Sequence, residues 1–232
     1  RNGEGRYFEV GPVMIQGVIF LLGLAFVLFG LTKAFGGDIM HLLVSSPNVY
    51  DATMEFLDYR IYGFFFSFIN VMFRAFYVGI TKTKVMTANA VFMALTNVVL
   101  DYGLIFGHLG MPELGIKGAA IASVIAEAVS ILFFIIYTYA AVDFKKYGLT
   151  NLRYSFNPKL LGRILRISSF TMLQYFLSMS TWFIFFVAVE RLGEQQLAIS
   201  NIIRSIYVVI LIPVNALSTT ANSLVSNLIG SG

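Results

Sequence analysis

Long uncharged stretches separated by short charged loops recur six times along the chain. Residues 11–32 carry no charge, and Pro12 falls in the first turn, where its missing N–H costs nothing. Residues 52–80 hold charges near their start and Arg74 inside, while 85–106 is uncharged except for Asp101. Residues 118–142 contain Glu127, 167–189 are uncharged, and 198–229 run past Arg204 and Pro213. A helix rises about 1.5 Å per residue, so about 20 apolar residues match the hydrocarbon core of a bilayer. The pattern predicts six transmembrane helices, with a kink at Pro213.

Composition agrees. The chain is 58% hydrophobic and 12% charged, with a mean hydropathy of +0.80. A soluble domain carries about twice that charge, so soluble enzymes and nucleic-acid binders are excluded. The net charge of +4 lies in loops rather than on one face. There is no cysteine, hence no disulfide or thiolate chemistry.

Loop charges orient the spans. With a cytoplasmic N-terminus, one side holds ten basic residues: Arg1, Arg6, Lys82, Lys84, Lys145, Lys146, Arg153, Lys159, Arg163 and Arg166. The other side holds three, Lys33, Lys117 and Arg191. The positive-inside rule then places the protein in the cytoplasmic membrane with both termini facing the cytoplasm. The longest connection, 143–166, is expected to be an internal linker. Its second half begins with Asn157 as cap and Pro158 in the first turn, and puts Leu160, Leu161, Ile164 and Leu165 opposite Lys159, Arg163 and Arg166. That reads as a short interfacial helix leading into the fifth span. The chain opens without methionine and stops on Gly230-Ser231-Gly232 directly after a span, which suggests a fragment of a longer chain.

Asp101 is the costliest residue. A carboxylate at mid-membrane costs at least about 2.5–3.5 kcal/mol and needs a partner, a proton or a cation. Asn97 lies one turn earlier on the same face, and Ser123 on the next span could add a hydroxyl. A carboxylate, an amide and a hydroxyl suit a hard cation such as Na⁺, or a proton. A plain bundle hydrogen bond is the alternative. Glu127, four residues after Ser123, extends a polar face that could carry protons or substrate. Gln174, Asn201, Arg204 and Asn215 are candidates for the same path. Arg74 is expected to snorkel or form a salt bridge. Glu55, Asp58 and Arg60 are expected to be solvated or paired near a helix N-terminus. His41 and His108 fall in external loops, and no catalytic constellation is present. The 23 Phe, 12 Tyr and 9 Met could line a plastic apolar cavity, although most must face lipid or core.

The stretch 59–84 (YRIYGFFFSFINVMFRAFYVGITKTK) resembles the fourth span and following loop of the multidrug and toxic compound extrusion (MATE) transporters. Residues 97–107 (NVVLDYGLIFG) and 114–123 (LGIKGAAIAS) look like that family's fifth span and the start of its sixth. Residues 165–193 and 198–232, ending VSNLIGSG, resemble its seventh and eighth.

The resemblance implies an all-α integral membrane fold: a six-helix fragment, the third to eighth, of a twelve-helix bundle in two lobes. Residues 1–142 would supply four helices of the first lobe, 143–166 the linker, and 167–232 two helices of the second. Asn97, Asp101 and Ser123 match the family's first-lobe cation site, while an acidic residue from the family's first span has no counterpart here. Ser178 stands in a region where some members are acidic, which shifts the weight to the first-lobe site. The implied function is cation-coupled antiport, exporting amphipathic or cationic organic compounds against Na⁺ or H⁺. No cofactor beyond the coupling ion, no nucleic acid and no stable oligomer of the whole protein are expected. A lipid-linked oligosaccharide flippase of related architecture is the alternative, and only Arg74 and Arg204 within spans speak for its basic cavity. A membrane-embedded structural or receptor protein is a third reading, in which Asp101 is merely a buried hydrogen-bond partner.

Overall fold

A computed structural model describes residues 1–44, 47–149 and 158–232. After a short 3-10 turn at Tyr7–Glu9, seven helices follow: α1 (Val10–Leu43), α2 (Pro47–Arg60), α3 (Gly63–Gly79), α4 (Lys84–Phe106), α5 (Ile116–Ala141), α6 (Pro158–Glu190) and α7 (Glu194–Ser231). Five of these elements are long and apolar enough to cross a membrane, and α2 with α3, bent by 57° at a short break, has the length and composition of a sixth, broken span or of a re-entrant pair. The fold is all-α and membrane-spanning.

Several boundaries differ from the sequence pattern. α1 continues well beyond residue 32, to Leu43, and Lys33 within it pairs with Asp58 at 2.7 Å. His41 accordingly sits in the last turn of α1, stacked on Tyr50 at 3.9 Å, not in a loop. The second span is two helices of 14 and 17 residues. At about 1.5 Å per residue each is shorter than the hydrocarbon core. Backbone at membrane depth must still be satisfied, and here the Ile61 N–H donates to Leu57 O at 3.1 Å and the Phe64 N–H to Ile61 O at 3.2 Å. The amphipathic stretch from Pro158 is the continuous start of α6 rather than a separate interfacial helix; its expected cap, Asn157, lies outside the described residues. α7 runs uninterrupted through Pro213.

The chain packs as two units, Arg1–Tyr154 with Ser226–Gly232, and Ser155–Val225. In the first, α5 is the central helix: its most extensive contact is with α4, and it also packs on α2 and α3. Gly118, Ala122, Ala126, Ser130, Phe134 and Thr138, spaced four apart, are all buried. Small residues there let backbones approach, since dispersion rather than water exclusion holds helices together in lipid. Gly118 is the tightest point: a Cβ would collide with the Leu104 carbonyl. The α4–α5 connection makes that approach possible, with Gly107 (φ 69°) ending α4 and Leu114 N–H donating to Leu104 O at 2.8 Å. Larger side chains take over toward the other end of α5. There Phe134 stacks on Phe73 at 5.3 Å and on Tyr77 at 5.5 Å. The Tyr77 hydroxyl donates to Thr138 Oγ1 at 2.7 Å, whose own proton goes to Phe134 O at 2.6 Å.

In the second unit α6 and α7 are joined by the turn at 191–193, where Gly193 takes φ 126°. Trp182 packs near Phe186 and Tyr207, each at 6.2 Å between ring centroids.

Candidate functional site

Polar residues on α3, α4 and α5 recur at three- and four-residue spacing, and the fold turns these three stripes toward one another. Glu127 on α5 is 7% exposed. Arg60, the last residue of α2, grips it from two directions: Nη2 donates to Oε1 at 2.6 Å and Nη1 to Oε2 at 3.1 Å. Ser67 Oγ adds a third donor to Oε1 at 2.7 Å. Gly63 creates the space for this pair, since a Cβ there would overlap the Arg60 guanidinium and lie 2.8 Å from Glu127 Oε2. The ion pair therefore sits directly beside the break between α2 and α3. A desolvated carboxylate is tolerable when bidentately paired and further hydrogen-bonded.

A directed chain of hydrogen bonds continues from the pair. Asn89 Nδ2 on α4 donates to Ser130 Oγ at 2.7 Å, and Ser130 donates to Asn70 Oδ1 at 2.6 Å. Asn70 Nδ2 then donates to the Glu127 backbone carbonyl at 3.0 Å. Each group is buried, and Asn89 Oδ1 is left without a partner. Asn89 lines a cavity of about 250 Å³ together with Ser67, Arg74 and Glu127. Arg74 is exposed and makes no ion pair among the described residues.

The three residues singled out for cation binding are distributed over this framework. Asn97 and Ser123, both half-buried, line a second cavity of about 410 Å³ together with Arg60, Ala94 and Glu127. Asp101 lies one turn further along α4 and is not part of that lining. Its Oδ1 is buried with no hydrogen-bond partner. Such an orphaned oxygen has a strong physical demand for a proton or a cation, because leaving a buried acceptor unpaired costs about 1–3 kcal/mol or more for a charged group. A buried carboxylate oxygen, with an amide one turn away, has the ligand chemistry of a hard-cation site. Among the described residues no group of three or more His, Asp or Glu is placed to hold a metal.

The remaining candidates are in the second unit, on exposed positions: Gln174 on α6, and Asn201, Arg204 and Asn215 on α7. Arg204 lies over the Phe186 ring at 5.1 Å. Asn201 and Asn215 offer their backbone carbonyls to Ser205 and Thr219 at 2.9 and 2.8 Å, which are bonds along the helix rather than a ligand set.

Arg60 was expected near a helix N-terminus with Glu55 and Asp58. All three instead occupy the last two turns of α2 and pair across helices, Glu55 with Lys117 at 3.3 Å and Asp58 with Lys33. Ser67, Asn70, Asn89 and Ser130 were not singled out from sequence. The signal was present as the rows 63, 67, 70, 74, 77 on α3 and 85, 89, 93, 97, 101 on α4, each a single helical face.

The MatE family model matches residues 1–103. "Probable multidrug resistance protein NorM" of Agrobacterium fabrum is 29% identical over 129 residues, which are 55% of this chain and 28% of that protein. The protein of the same name in Bacillus subtilis is 34% identical over 122 residues, 52% of this chain and 26% of that one. The chain thus spans about a quarter to a third of the length of these curated relatives. Among solved structures, an outward-facing multidrug resistance MATE family transporter of the MOP superfamily superposes with a TM-score of 0.81 at 20% identity, covering 98% of this chain and 50% of that one. Over residues 1–103 the chain is similar to the MatE family, and its helical membrane fold agrees with that likeness.

Proposed function

We propose that this chain forms part of a cation-coupled antiporter that exports amphipathic or cationic organic compounds across the cytoplasmic membrane. The observation that carries the reading is the buried, unpartnered Oδ1 of Asp101 in a membrane-spanning helix, with Asn97 one turn away. A group in that state binds a proton or a small cation whenever one is supplied. The coupling ion, Na⁺ or H⁺, is cargo here. Its binding moves the transporter between inward- and outward-facing states to the extent that Asp101 favours it differently in the two. The names of the NorM relatives, multidrug resistance proteins, support drug export as the linked reaction.

Dye accumulation in cells lacking other pumps tests this. Cells making the protein should hold less ethidium than controls, and Asp101→Asn should abolish the difference while the protein level stays unchanged. Cation-dependent efflux that survives Asp101→Asn removes Asp101 from coupling. Absence of any dye efflux, with a defect in lipid-linked sugar export in its place, favours the flippase instead.

A further inference from the structure

We propose that Glu127 is a docking point for the cationic head group of an exported compound, and that Arg60 is a tethered competitor that occupies it when no compound is bound. The inference rests on the drug-export reading above and adds a subsite to it.

Four observations converge. First, the Arg60 guanidinium is itself an organic cation seated on a carboxylate, so the site demonstrably accommodates one: two donors reach the two Glu127 oxygens at 2.6 and 3.1 Å. Second, the pair is asymmetric. The Glu127 side chain is 9% exposed and that of Arg60 is 31% exposed. Arg60 therefore has room to withdraw, whereas Glu127 cannot follow, and a buried carboxylate left behind demands a replacement cation. Third, space is available beside it. The cavity of about 410 Å³ that borders both members of the pair is within the range that takes drug-sized ligands. Its wall combines apolar Met93 and Ala94 with the amide of Asn97 and the hydroxyl of Ser123, the mixture expected around an amphipathic cation. Fourth, Arg60 stands at the 57° break between α2 and α3, where the chain can rotate a head group without breaking a continuous helix. The Gly63 space holds the guanidinium in the closed arrangement.

Competition of this kind reduces apparent affinity by the fraction of time the site is free. An Arg60 head group seated nine-tenths of the time raises the apparent Kd for a cationic ligand about tenfold. The charges balance at each stage: one carboxylate, and one cation on it, either Arg60 or the ligand.

The test is equilibrium binding of ethidium to the purified protein in detergent, with Nile red as a neutral amphipathic control. Arg60→Gln should tighten ethidium about tenfold, and Glu127→Gln should weaken it by a similar factor, with Nile red unchanged in both. A folded Arg60→Gln protein that binds ethidium equally or more weakly overturns the proposal, because a purely structural ion pair predicts that result. Should Arg60→Gln not fold, the absence of native cysteine permits a second measurement. Ethidium should protect the Ala94→Cys variant from a soluble maleimide, and Glu127→Gln in that background should abolish the protection; persistence of protection overturns the proposal. If the unaltered protein binds Nile red but no ethidium, the subsite fails while export of neutral compounds stands. If it binds neither, the drug-export reading fails with it.

Discussion

Gly63→Ala is the smallest change that should disable the buried ion pair. The added methyl would occupy the position of the Arg60 guanidinium and lie 2.8 Å from Glu127 Oε2. The guanidinium is the flexible partner and must leave, which strips Glu127 of its charge-balancing group. Removing one member of a buried pair costs about 3–5 kcal/mol, and the partial exposure of Arg60 argues for the lower end. Alanine is a better helix former than glycine by about 1 kcal/mol, which offsets part of the loss. The net destabilisation is therefore about 2–3 kcal/mol. SDS-induced unfolding in mixed micelles measures it, and the double variant Gly63→Ala/Glu127→Gln supplies the control. A neutral glutamine does not need Arg60, so the cost of the methyl should fall below about 1 kcal/mol in that background. A Gly63→Ala protein as stable as the parent, or a penalty that is the same with and without Glu127→Gln, refutes the link between the glycine and the pair.

Ser130→Ala should cost about 1–3 kcal/mol by the same unfolding measurement, because it leaves Asn89 Nδ2 and Asn70 Oδ1 both buried without a partner. Ala122→Leu, at a position with no exposure, should separate α5 from its neighbours and lower the yield of monodisperse protein, whereas Ile136→Leu on an exposed face of α5 should not. At the N-terminal loop, the Arg6 hydrogen bond holds the Glu4 carboxyl below the usual carboxylate range. The Arg6–Glu4 contact is therefore present above that range and lost as pH falls through the lowered value. Carbon-detected NMR titration should show Glu4 returning to the ordinary range in Arg6→Gln.

The spans were legible because burial in lipid demands apolar runs of a fixed length, and five of the expected ranges lie in single helices, of which α1 and α6 run well beyond them. The broken span was not legible. Residues 52–80 contain no proline to mark the break, and the pairing of Arg60, beside it, with Glu127 67 residues away is a tertiary event with no local signature. The Lys33–Asp58 pair is likewise tertiary, so Lys33 reads as a loop charge although α1 continues to Leu43. At the site, single charges in apolar runs pointed to Asp101 and Glu127, because their cost is local. The neutral members Asn70, Asn89 and Ser130 are inexpensive one at a time. They matter only when three helices align them, and a stripe on one helix does not reveal which neighbour it will face.

The central claim is that a cation or proton at Asp101 is coupled to export. Reconstituted protein in liposomes, loaded with ethidium and given either an inward Na⁺ or an inward proton gradient, tests it most directly. One of the two gradients should drive ethidium out of liposomes bearing the unaltered protein, and Asp101→Asn should abolish the response to that gradient while still permitting downhill ethidium exchange. Gradient-driven export that persists undiminished in Asp101→Asn would contradict the account.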